Sequence, residues 1–354
     1  MEKRDLSSSN IKKGIKISIG LSLLASLAVI FFTIEEETWH TLLRVKPFVL
    51  SINLIATLLM WLAGGLRTRV LARALGEELS LLETTEIFLA GAFMANVTPS
   101  STGSGPLLLY LLYRKGIPLG KASTIMFIQA ICRLFFFSFL VPILYIFFPG
   151  YIESGIIPIQ LFNLVIGISL LISLASLYFI WKPRILYRFV KGLQKAPFIK
   201  KYLQSEKAQS IMAMVLEETE NFHLAVEKIT QKKKGVLIYS LLITVFYWIF
   251  FFSIPSLTLM GFGEEPHFFR SSIMQTMLNL VLPFVPTPGS SGVAEFGFVA
   301  IFAPFINKHL IGLITIAWRF FTFYLPTFVG GLIIVKIYAI SIFNNRKNNG
   351  TKES

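Results

Sequence analysis

Long apolar stretches separated by short polar segments run through this chain of 354 residues. A helix that rises 1.5 Å per residue needs roughly 20 apolar residues to cross about 30 Å of hydrocarbon. Six stretches satisfy that length and predict membrane-spanning helices. The last must tilt, kink near Pro326 or extend into water, because it is longer than one crossing requires. The predicted spans are residues 15–34, 48–66, 125–148, 156–181, 236–262 and 310–342.

Two further apolar regions are each interrupted by a cluster of Pro, Gly, Ser and Thr residues, at 96–106 and 283–292. Each cluster is followed by a single arginine inside the next apolar stretch, and then by a proline. Interrupted helices at corresponding positions of two halves are typical of a transporter's binding site. Irregular backbone at membrane depth is tolerated only where protein or a water-filled cavity satisfies its polar groups. Simple kinking of two helices by Pro and Gly is the alternative.

The distribution of charge predicts the orientation, because Lys and Arg accumulate on the cytoplasmic side of membrane proteins. Basic clusters lie at residues 3–16, 67–73, 114–121, 182–234 and 346–347, whereas acidic segments containing Glu35, Glu153 and Glu264 lie between them. We therefore expect both termini in the cytoplasm of a multi-pass protein of the cell (plasma) membrane. The net charge of +14 reflects this topology. Nucleic-acid binding is not expected.

This orientation makes each interrupted region a helical hairpin. The first lies between two basic loops, and its limbs, 84–97 and 107–113, are too short for two crossings. It is expected to enter and leave from the cytoplasm, and the second from outside, although two full spans are an alternative for the second. The predicted fold is an all-α polytopic membrane protein with about six spans and two re-entrant hairpins in an inverted repeat. The predicted domain is 1–342, with halves 48–148 (hairpin 82–114) and 236–342 (hairpin 268–306), a basic amphipathic segment 182–234 and a tail 343–354.

The two arginines within apolar stretches are Arg133 and Arg319. A guanidinium at mid-bilayer costs at least about 2.5 kcal/mol on insertion scales, so it is expected to face a partner or a cavity. Guanidinium groups bind phosphate with two parallel hydrogen bonds. The alternative is a structural role, in which each arginine pairs with Glu295 or binds a hairpin carbonyl. Glu295 itself could complement a helix dipole, act as counter-ion to Arg319 or carry a proton.

The residue after each cluster is expected to begin a half-helix. Ser104 or Gly105 is predicted to be an N-cap with Pro106 at the first helical position, and Ser291 or Gly292 has the same role before Val293. Free N–H groups at such a start favour an anionic group. The predicted substrate-binding residues are Asn96, Thr98, Ser100, Ser101, Gly103, Ser104, Gly105, Arg133, Thr287, Gly289, Ser290, Ser291, Gly292, Glu295 and Arg319.

Three motifs together resemble the transmembrane, flippase-like domain of lysylphosphatidylglycerol synthases, which also occurs in stand-alone membrane proteins. They are N-V-T-P-S-S-T-G-S-G at 96–105, P-T-P-G-S-S-G-V-A-E at 286–295 and W-R-F-F-T-F-Y-L-P at 318–326. The resemblance covers about residues 15–340. The first motif departs from the family's usual Gly-Gly-Glu followed by an arginine, since this chain has Gly103, Ser104, Gly105 and Pro106 and then Leu109. The resemblance implies lipid translocation between leaflets.

The function predicted from these features is a flippase or transporter for a lipid with an anionic headgroup: a phospholipid, an aminoacyl-phospholipid or a prenyl-phosphate-linked lipid. Alternatives are an intramembrane lipid-phosphate hydrolase or transferase, and a lipid-binding scaffold for a synthase. Synthase activity is not expected without a soluble aminoacyltransferase domain. No cofactor, metal site or catalytic residue is predicted, because the chain has one cysteine, no metal-ligand spacing and no G-x-x-x-x-G-K-[ST] loop. Lipid identity, direction and a homo-oligomeric state are left open.

Overall fold

The computed structural model describes residues 46–147 and 206–350, together with isolated positions in 20–31 and 164–192. Within these residues the regular secondary structure is helical, which confirms the all-α class. Two π-helical segments (Lys228–Lys232 and Phe320–Tyr324) and two 3-10 turns (Leu282–Phe284 and Ala303–Phe305) separate some of the helices. The α-helices are α1 (Pro47–Ala74), α2 (Leu81–Val97), α3 (Ser104–Arg114), α4 (Leu119–Phe147), α5 (Glu206–Glu227), α6 (Lys234–Gly261), α7 (Phe268–Val281), α8 (Val293–Phe302), α9 (Lys308–Arg319) and α10 (Leu325–Gly350).

Four helical segments are long and apolar enough to cross a membrane, and they match four of the six predicted spans. The predicted spans 15–34 and 156–181 lie outside the continuously described residues. Many large apolar side chains on these segments are exposed, as expected for surfaces that face hydrocarbon. The four segments are Pro47–Ala74, Leu119–Leu144, Lys234–Gly261 and Lys308–Ala339.

The last of these segments is interrupted just before Pro326. Helix α9 ends at Arg319, five π-helical residues follow, and α10 begins at Leu325. Pro326 has no N–H to offer the carbonyl of Thr322, so the regular α-helical pattern cannot continue across this point. A π-helical turn pairs each carbonyl with a donor one residue further along. The irregularity that the sequence predicts near Pro326 is therefore present.

The described residues form two compact units. Unit 1 contains residues 46–61, 85–108 and 248–350, and unit 2 contains residues 62–84, 109–147 and 206–247. Both Pro/Gly/Ser clusters belong to unit 1, together with Arg319, whereas Arg133 belongs to unit 2.

In unit 1, helices α2 and α10 pack closely in antiparallel directions. A Cβ placed on Gly330 would lie 2.3 Å from the carbonyl oxygen of Leu89 and 2.8 Å from the Cβ of Phe93. Further along the same pair, the Lys336 ammonium forms an ion pair with Glu86. Small residues allow helix backbones to approach in this way within membranes, where no hydrophobic driving force acts between helices.

Each interrupted region is a helix–loop–helix unit. Helices α2 and α3 flank the first loop, and a Cβ on Gly91 of α2 would lie 2.9 Å from the Leu108 side chain of α3. Helices α7 and α8 flank the second, where a Cβ on Gly297 would lie 3.0 Å from Leu278. The close approach at both glycines brings the limbs of each hairpin together.

In unit 2, helix α5 packs against α4. The backbone N–H of Gly120 donates to Glu218 at 2.6 Å, and the Phe127 and Phe222 rings meet edge to face. Val226 of α5 is buried in the same packing, although Ile211 near the start of α5 is 52% exposed. The segment 182–234 thus contains a helix over 206–227, and part of its apolar face packs against α4.

The basic cluster at residues 67–73 differs from the prediction, because it lies in α1 and not in a loop. The helix continues to Ala74, eight residues past the predicted end of the span. Hydropathy places the end of a span at the first charge, but Arg67 donates from Nη1 to the Thr244 hydroxyl of α6 at 3.1 Å. A hydrogen bond to a polar side chain of a neighbouring helix lowers the free-energy cost of placing this arginine within an apolar helix.

Helix α2 begins with a capping box. The Ser80 hydroxyl accepts the Glu83 N–H, and the Glu83 carboxylate accepts the Ser80 N–H at 2.9 Å. Lys115, which follows α3, forms an ion pair with the same carboxylate. The hydrogen bond from Lys115, followed by those from Ser80, lowers the pKa of Glu83 to about 2. These contacts anchor the chain around the start of α2 in unit 2.

The neighbouring glycines of α10 provide a test of the α2–α10 packing. We expect Gly330→Ala to destabilise the protein by about 1–3 kcal/mol, because the added methyl meets a backbone carbonyl. Gly331→Ala is the matched control, since its Cβ would meet only the Phe93 ring at 3.2 Å and alanine favours a helix. Thermal unfolding in detergent compares them, and equal melting temperatures would contradict this packing.

Candidate functional site

The two clusters contain loops of equal length and closely similar sequence. Loop A is residues 98–103, T-P-S-S-T-G, and loop B is residues 287–292, T-P-G-S-S-G. They share Thr, Pro, Ser and Gly at the first, second, fourth and sixth positions. Loop A leads directly into α3 and loop B into α8. The half-helices predicted after each cluster are thus present.

The loops also share backbone hydrogen bonds and two positive φ values, although the sixth residue has a positive φ in loop B (Gly292, 87°) and not in loop A. In each, the fourth residue donates its N–H to the first carbonyl, and the fifth donates its N–H and its hydroxyl to the proline carbonyl. The third and fourth residues have positive φ values between 48° and 59°, which non-glycine residues adopt rarely. In loop A the three bonds are Ser101–Thr98 (3.2 Å), Thr102–Pro99 (3.1 Å) and Thr102 Oγ1–Pro99 (3.0 Å); in loop B they are Ser290–Thr287 (3.0 Å), Ser291–Pro288 (3.2 Å) and Ser291 Oγ–Pro288 (2.9 Å).

The loops contact each other although 189 positions separate their prolines. Pro99 and Pro288 face each other as an antiparallel β-bridge pair. The Ser100 hydroxyl donates to the Val285 carbonyl at 3.4 Å. A Cβ on Gly289 would lie 3.0 Å from the carbonyl oxygen of Asn96. The two clusters therefore form one polar centre within unit 1.

Loop A is held by uncharged hydrogen bonds. The Asn96 amide donates to the Thr327 hydroxyl of α10 at 2.8 Å and to the Phe323 carbonyl at 3.4 Å. The Thr98 hydroxyl accepts the Gly103 N–H and donates to the Met94 carbonyl. These bonds satisfy backbone groups where the helical pattern stops.

Loop B is held by a buried ion pair. The Arg319 Nε donates to Glu295 Oε1 at 2.7 Å, and its Nη2 donates to the Gly289 carbonyl at 3.3 Å. Glu295 Oε2 accepts the Gly292 N–H at 2.7 Å. The Arg319 and Glu295 side chains are 5% and 0% exposed. The ion pair thus binds the third and the sixth residues of loop B, Gly289 and Gly292.

The ring of Phe323 completes this arrangement. The Arg319 guanidinium carbon lies 4.5 Å from its centroid, within the range of a cation–π contact. A Cβ on Gly289 would lie 2.2 Å from the same ring. The Phe323 ring therefore leaves no space for a side chain at position 289.

The contacts decide between some of the roles predicted for Glu295 and Arg319. Glu295 both neutralises Arg319 and accepts a backbone N–H at the start of α8, as the structural alternative predicted. Arg319 pairs with Glu295 and binds a hairpin carbonyl at once. A headgroup contact by Arg319 and proton transfer by Glu295 stay predictions.

The two half-helix starts differ in detail. Gly292 is the N-cap of α8, as predicted. Helix α3 begins at Ser104, so Pro106 is its third residue and not its first. Ser104 and Gly105 lie in its first turn, which contains no acidic residue, whereas the first turn of α8 contains Glu295.

The hydroxyls of Ser100 and Ser290 are bound to backbone carbonyls. Ser100 donates to the Val285 carbonyl and Ser290 donates to the Leu282 carbonyl at 2.8 Å, whereas an activated serine donates to a base. Over the described part of the chain, three or more His, Cys, Asp or Glu residues do not converge into a metal site. Arg133 lies on α4 in unit 2 with an exposed side chain.

Four candidate spans, two helical hairpins and a buried polar centre define a multi-pass α-helical membrane protein. Residues 17–330 match the family described as the lysylphosphatidylglycerol synthase TM region, and the chain belongs to this family. It is also 27% identical over 323 residues to a UPF0104 membrane protein from Archaeoglobus fulgidus. That alignment covers 91% of this chain and 95% of the archaeal protein. The family resemblance of the three sequence motifs is confirmed.

The buried ion pair can be tested with a double-mutant cycle. We expect Glu295→Gln and Arg319→Met each to destabilise the protein by about 3–5 kcal/mol, because each leaves a buried charge without its partner. The double variant should recover part of that loss, giving a coupling energy above about 1 kcal/mol. Thermal unfolding in detergent gives all four values. Additive effects would contradict the direct contact.

The contact between the loops can be tested with an engineered disulfide. Cys132 is the chain's one cysteine, so Cys132→Ser gives a background without thiols. In it, Pro99→Cys with Pro288→Cys should cross-link on mild oxidation, because β-bridge partners hold their Cβ atoms about 4.5–5.5 Å apart. Disulfide formation is measured as the disappearance of both maleimide-reactive thiols after oxidation. Each single variant is a control, and persistent reactivity of the pair would contradict the contact.

Proposed function

We propose that this protein is a lipid flippase, which moves a lipid with an anionic headgroup between the leaflets of the cell membrane. The substrate is a phospholipid, an aminoacyl-phospholipid or a prenyl-phosphate-linked lipid. The observation that carries the proposal is the pair of equivalent loops, which meet in one polar centre of a protein from the lysylphosphatidylglycerol synthase TM family. In this proposal, lipid or ion gradients determine the net direction of lipid transport.

The loop pair fits a passage for a headgroup. Lipid-exposed irregular backbone is not stable in hydrocarbon, so loops at membrane depth line a cavity or are buried in protein. The hydroxyl-rich sequences of loops A and B offer polar contacts to a headgroup whose chains stay in the bilayer. In the proposed topology the two hairpins enter from opposite faces, about six helices span the bilayer, and both termini are cytoplasmic. An inverted repeat of this kind permits alternating access.

The charges around the loops favour an anionic headgroup. The start of α8 carries its own carboxylate, Glu295, which is neutralised by Arg319. The start of α3 has no acidic residue in its first turn, so the positive end of its helix dipole attracts an external anion. In this proposal the ion pair keeps loop B rigid, while Ser104, Gly105 and loop A approach the headgroup.

Leaflet-resolved transport in proteoliposomes tests the proposal. Fluorescent phosphatidylglycerol, phosphatidylcholine and a prenyl-phosphate lipid are placed in one leaflet, and their appearance in the other is followed by quenching. The intact protein should move an anionic lipid faster than protein-free vesicles do. Arg319→Gln should slow this at least about tenfold, because loop B loses its support. Lys308→Gln, at the exposed first position of α9, is the matched control and should transport normally.

The other outcomes identify the alternatives. Lipid that stays in its leaflet but changes mass would indicate a hydrolase or transferase. Unmoved and unchanged lipid, with every substrate class, would contradict transport and favour a scaffold for a synthase. Equal rates for the intact protein and Arg319→Gln would remove the polar centre from the mechanism.

A further inference from the structure

A second group of charged and polar residues lies in unit 2, where helices α1, α4 and α6 meet. Arg67 of α1 donates from Nη1 to the Thr244 hydroxyl of α6 at 3.1 Å. Its Nε is buried and makes no hydrogen bond within the part of the chain that the structure describes. A buried guanidinium with an unsatisfied N–H is costly, because the group loses its hydration without full replacement.

Two contacts bring Arg133 of α4 to the same place. Gln129, one turn before Arg133, donates to the hydroxyl of Thr68, which follows Arg67 in the chain. Cys132, which precedes Arg133, contacts the Ser240 hydroxyl of α6 at 3.6 Å, one turn before Thr244. The Gln129–Thr68 hydrogen bond therefore places the part of α4 that carries Arg133 beside the part of α1 that carries Arg67.

The three helices provide no counter-ion for these cations. The sequences of α1, α4 and α6 contain no Asp or Glu. Glu77, beyond the end of α1, pairs with Lys121. Glu218 of α5 binds Gly120, which precedes Arg133 by 13 residues, or roughly 20 Å along α4. This is the reverse of Arg319, whose charge is neutralised by Glu295.

We propose that Arg67 and Arg133 form a binding site for a phosphate group. A phosphate presents several oxygens to two guanidinium forks at once, a geometry that arginine favours over lysine. The Arg133 side chain is exposed and Arg67 is partly buried, so an anion meets the Arg133 guanidinium before that of Arg67. The group is the headgroup phosphate of an anionic lipid or free phosphate.

This inference rests on the proposed function for its biological meaning, because it names a site for the same class of lipid. Its test does not rest on transport. If the protein binds phosphatidylglycerol through these arginines but moves no lipid, the flippase proposal fails and the site stands. If the protein transports lipid and replacement of either arginine changes neither binding nor transport, the site fails and the flippase proposal stands.

Ligand-dependent thermal unfolding of the full-length protein in detergent is the experiment. The probes are dihexanoyl-phosphatidylglycerol, dihexanoyl-phosphatidylcholine and sodium phosphate, with sodium chloride matching ionic strength. We expect phosphatidylglycerol to raise the melting temperature, and Arg67→Gln and Arg133→Gln each to weaken the apparent affinity at least tenfold. Arg67→Lys should weaken it less than Arg67→Gln. Arg69→Gln, two residues along the same helix, is the matched control and should bind normally.

A readout without lipid separates binding from a structural role. If Arg67 is a ligand-binding residue, Arg67→Gln removes its repulsion from Arg133. The melting temperature of this variant without lipid should then equal or exceed that of the intact protein. A purely structural Arg67 predicts a lower melting temperature with unchanged lipid affinity, which would overturn the proposal. Arg133→Gln, at an exposed position, keeps the test valid if Arg67→Gln does not fold. A response to sodium phosphate alone identifies free phosphate as a ligand, and a response limited to phosphatidylglycerol identifies the headgroup.

Discussion

The buried ion pair of Arg319 and Glu295 supports the polar centre. Each charge alone would be strongly unfavourable at these exposures of 5% and 0%, and together they replace lost hydration only because backbone groups complete the set. The Gly289 carbonyl and the Gly292 N–H supply those groups. Loop B is thus part of the ion pair's own solvation. The contact of loop A with Pro288 and Val285 depends in turn on loop B keeping this shape.

The same loop conformation is built twice with different supports. Loop A uses the Asn96 amide and the Thr98 hydroxyl, which are neutral, whereas loop B uses two full charges. The shared hydrogen bonds within the loops follow from the shared Thr-Pro-x-Ser pattern, since proline presets one φ and the positive φ residues close the turn. The difference in support leaves the start of α3 without an internal anion.

Arg319, Arg67 and Arg133 differ in whether the described helices around them contain an acidic side chain. Arg319 has Glu295 and is held in place by it. Arg67 and Arg133 lie on helices without acidic residues, and Arg67 reaches only one neutral hydroxyl among the contacts described for its guanidinium. The same physical cost of a cation in a medium of low polarity therefore gives two results. Arg319 is part of the scaffold, whereas in the proposed site Arg67 and Arg133 take their counter-charge from a bound phosphate.

The sequence by itself determined the class, four of the described spans, the two helix–loop–helix units and the family, because apolar length and Pro/Gly clusters act locally along the chain. It also offered the pairing of Arg319 with Glu295 as one alternative. Only the tertiary structure brought the two loops into contact, required glycine at 289 through the Phe323 ring, and placed Arg67 inside α1 beside α4 and α6. Those facts depend on contacts between residues that lie 34 to 189 positions apart, and local hydropathy carries no information about such contacts. Hydropathy predicts that the second span ends at Leu66. The helix continues to Ala74 in the structure, and its first charged residue, Arg67, donates a hydrogen bond to Thr244.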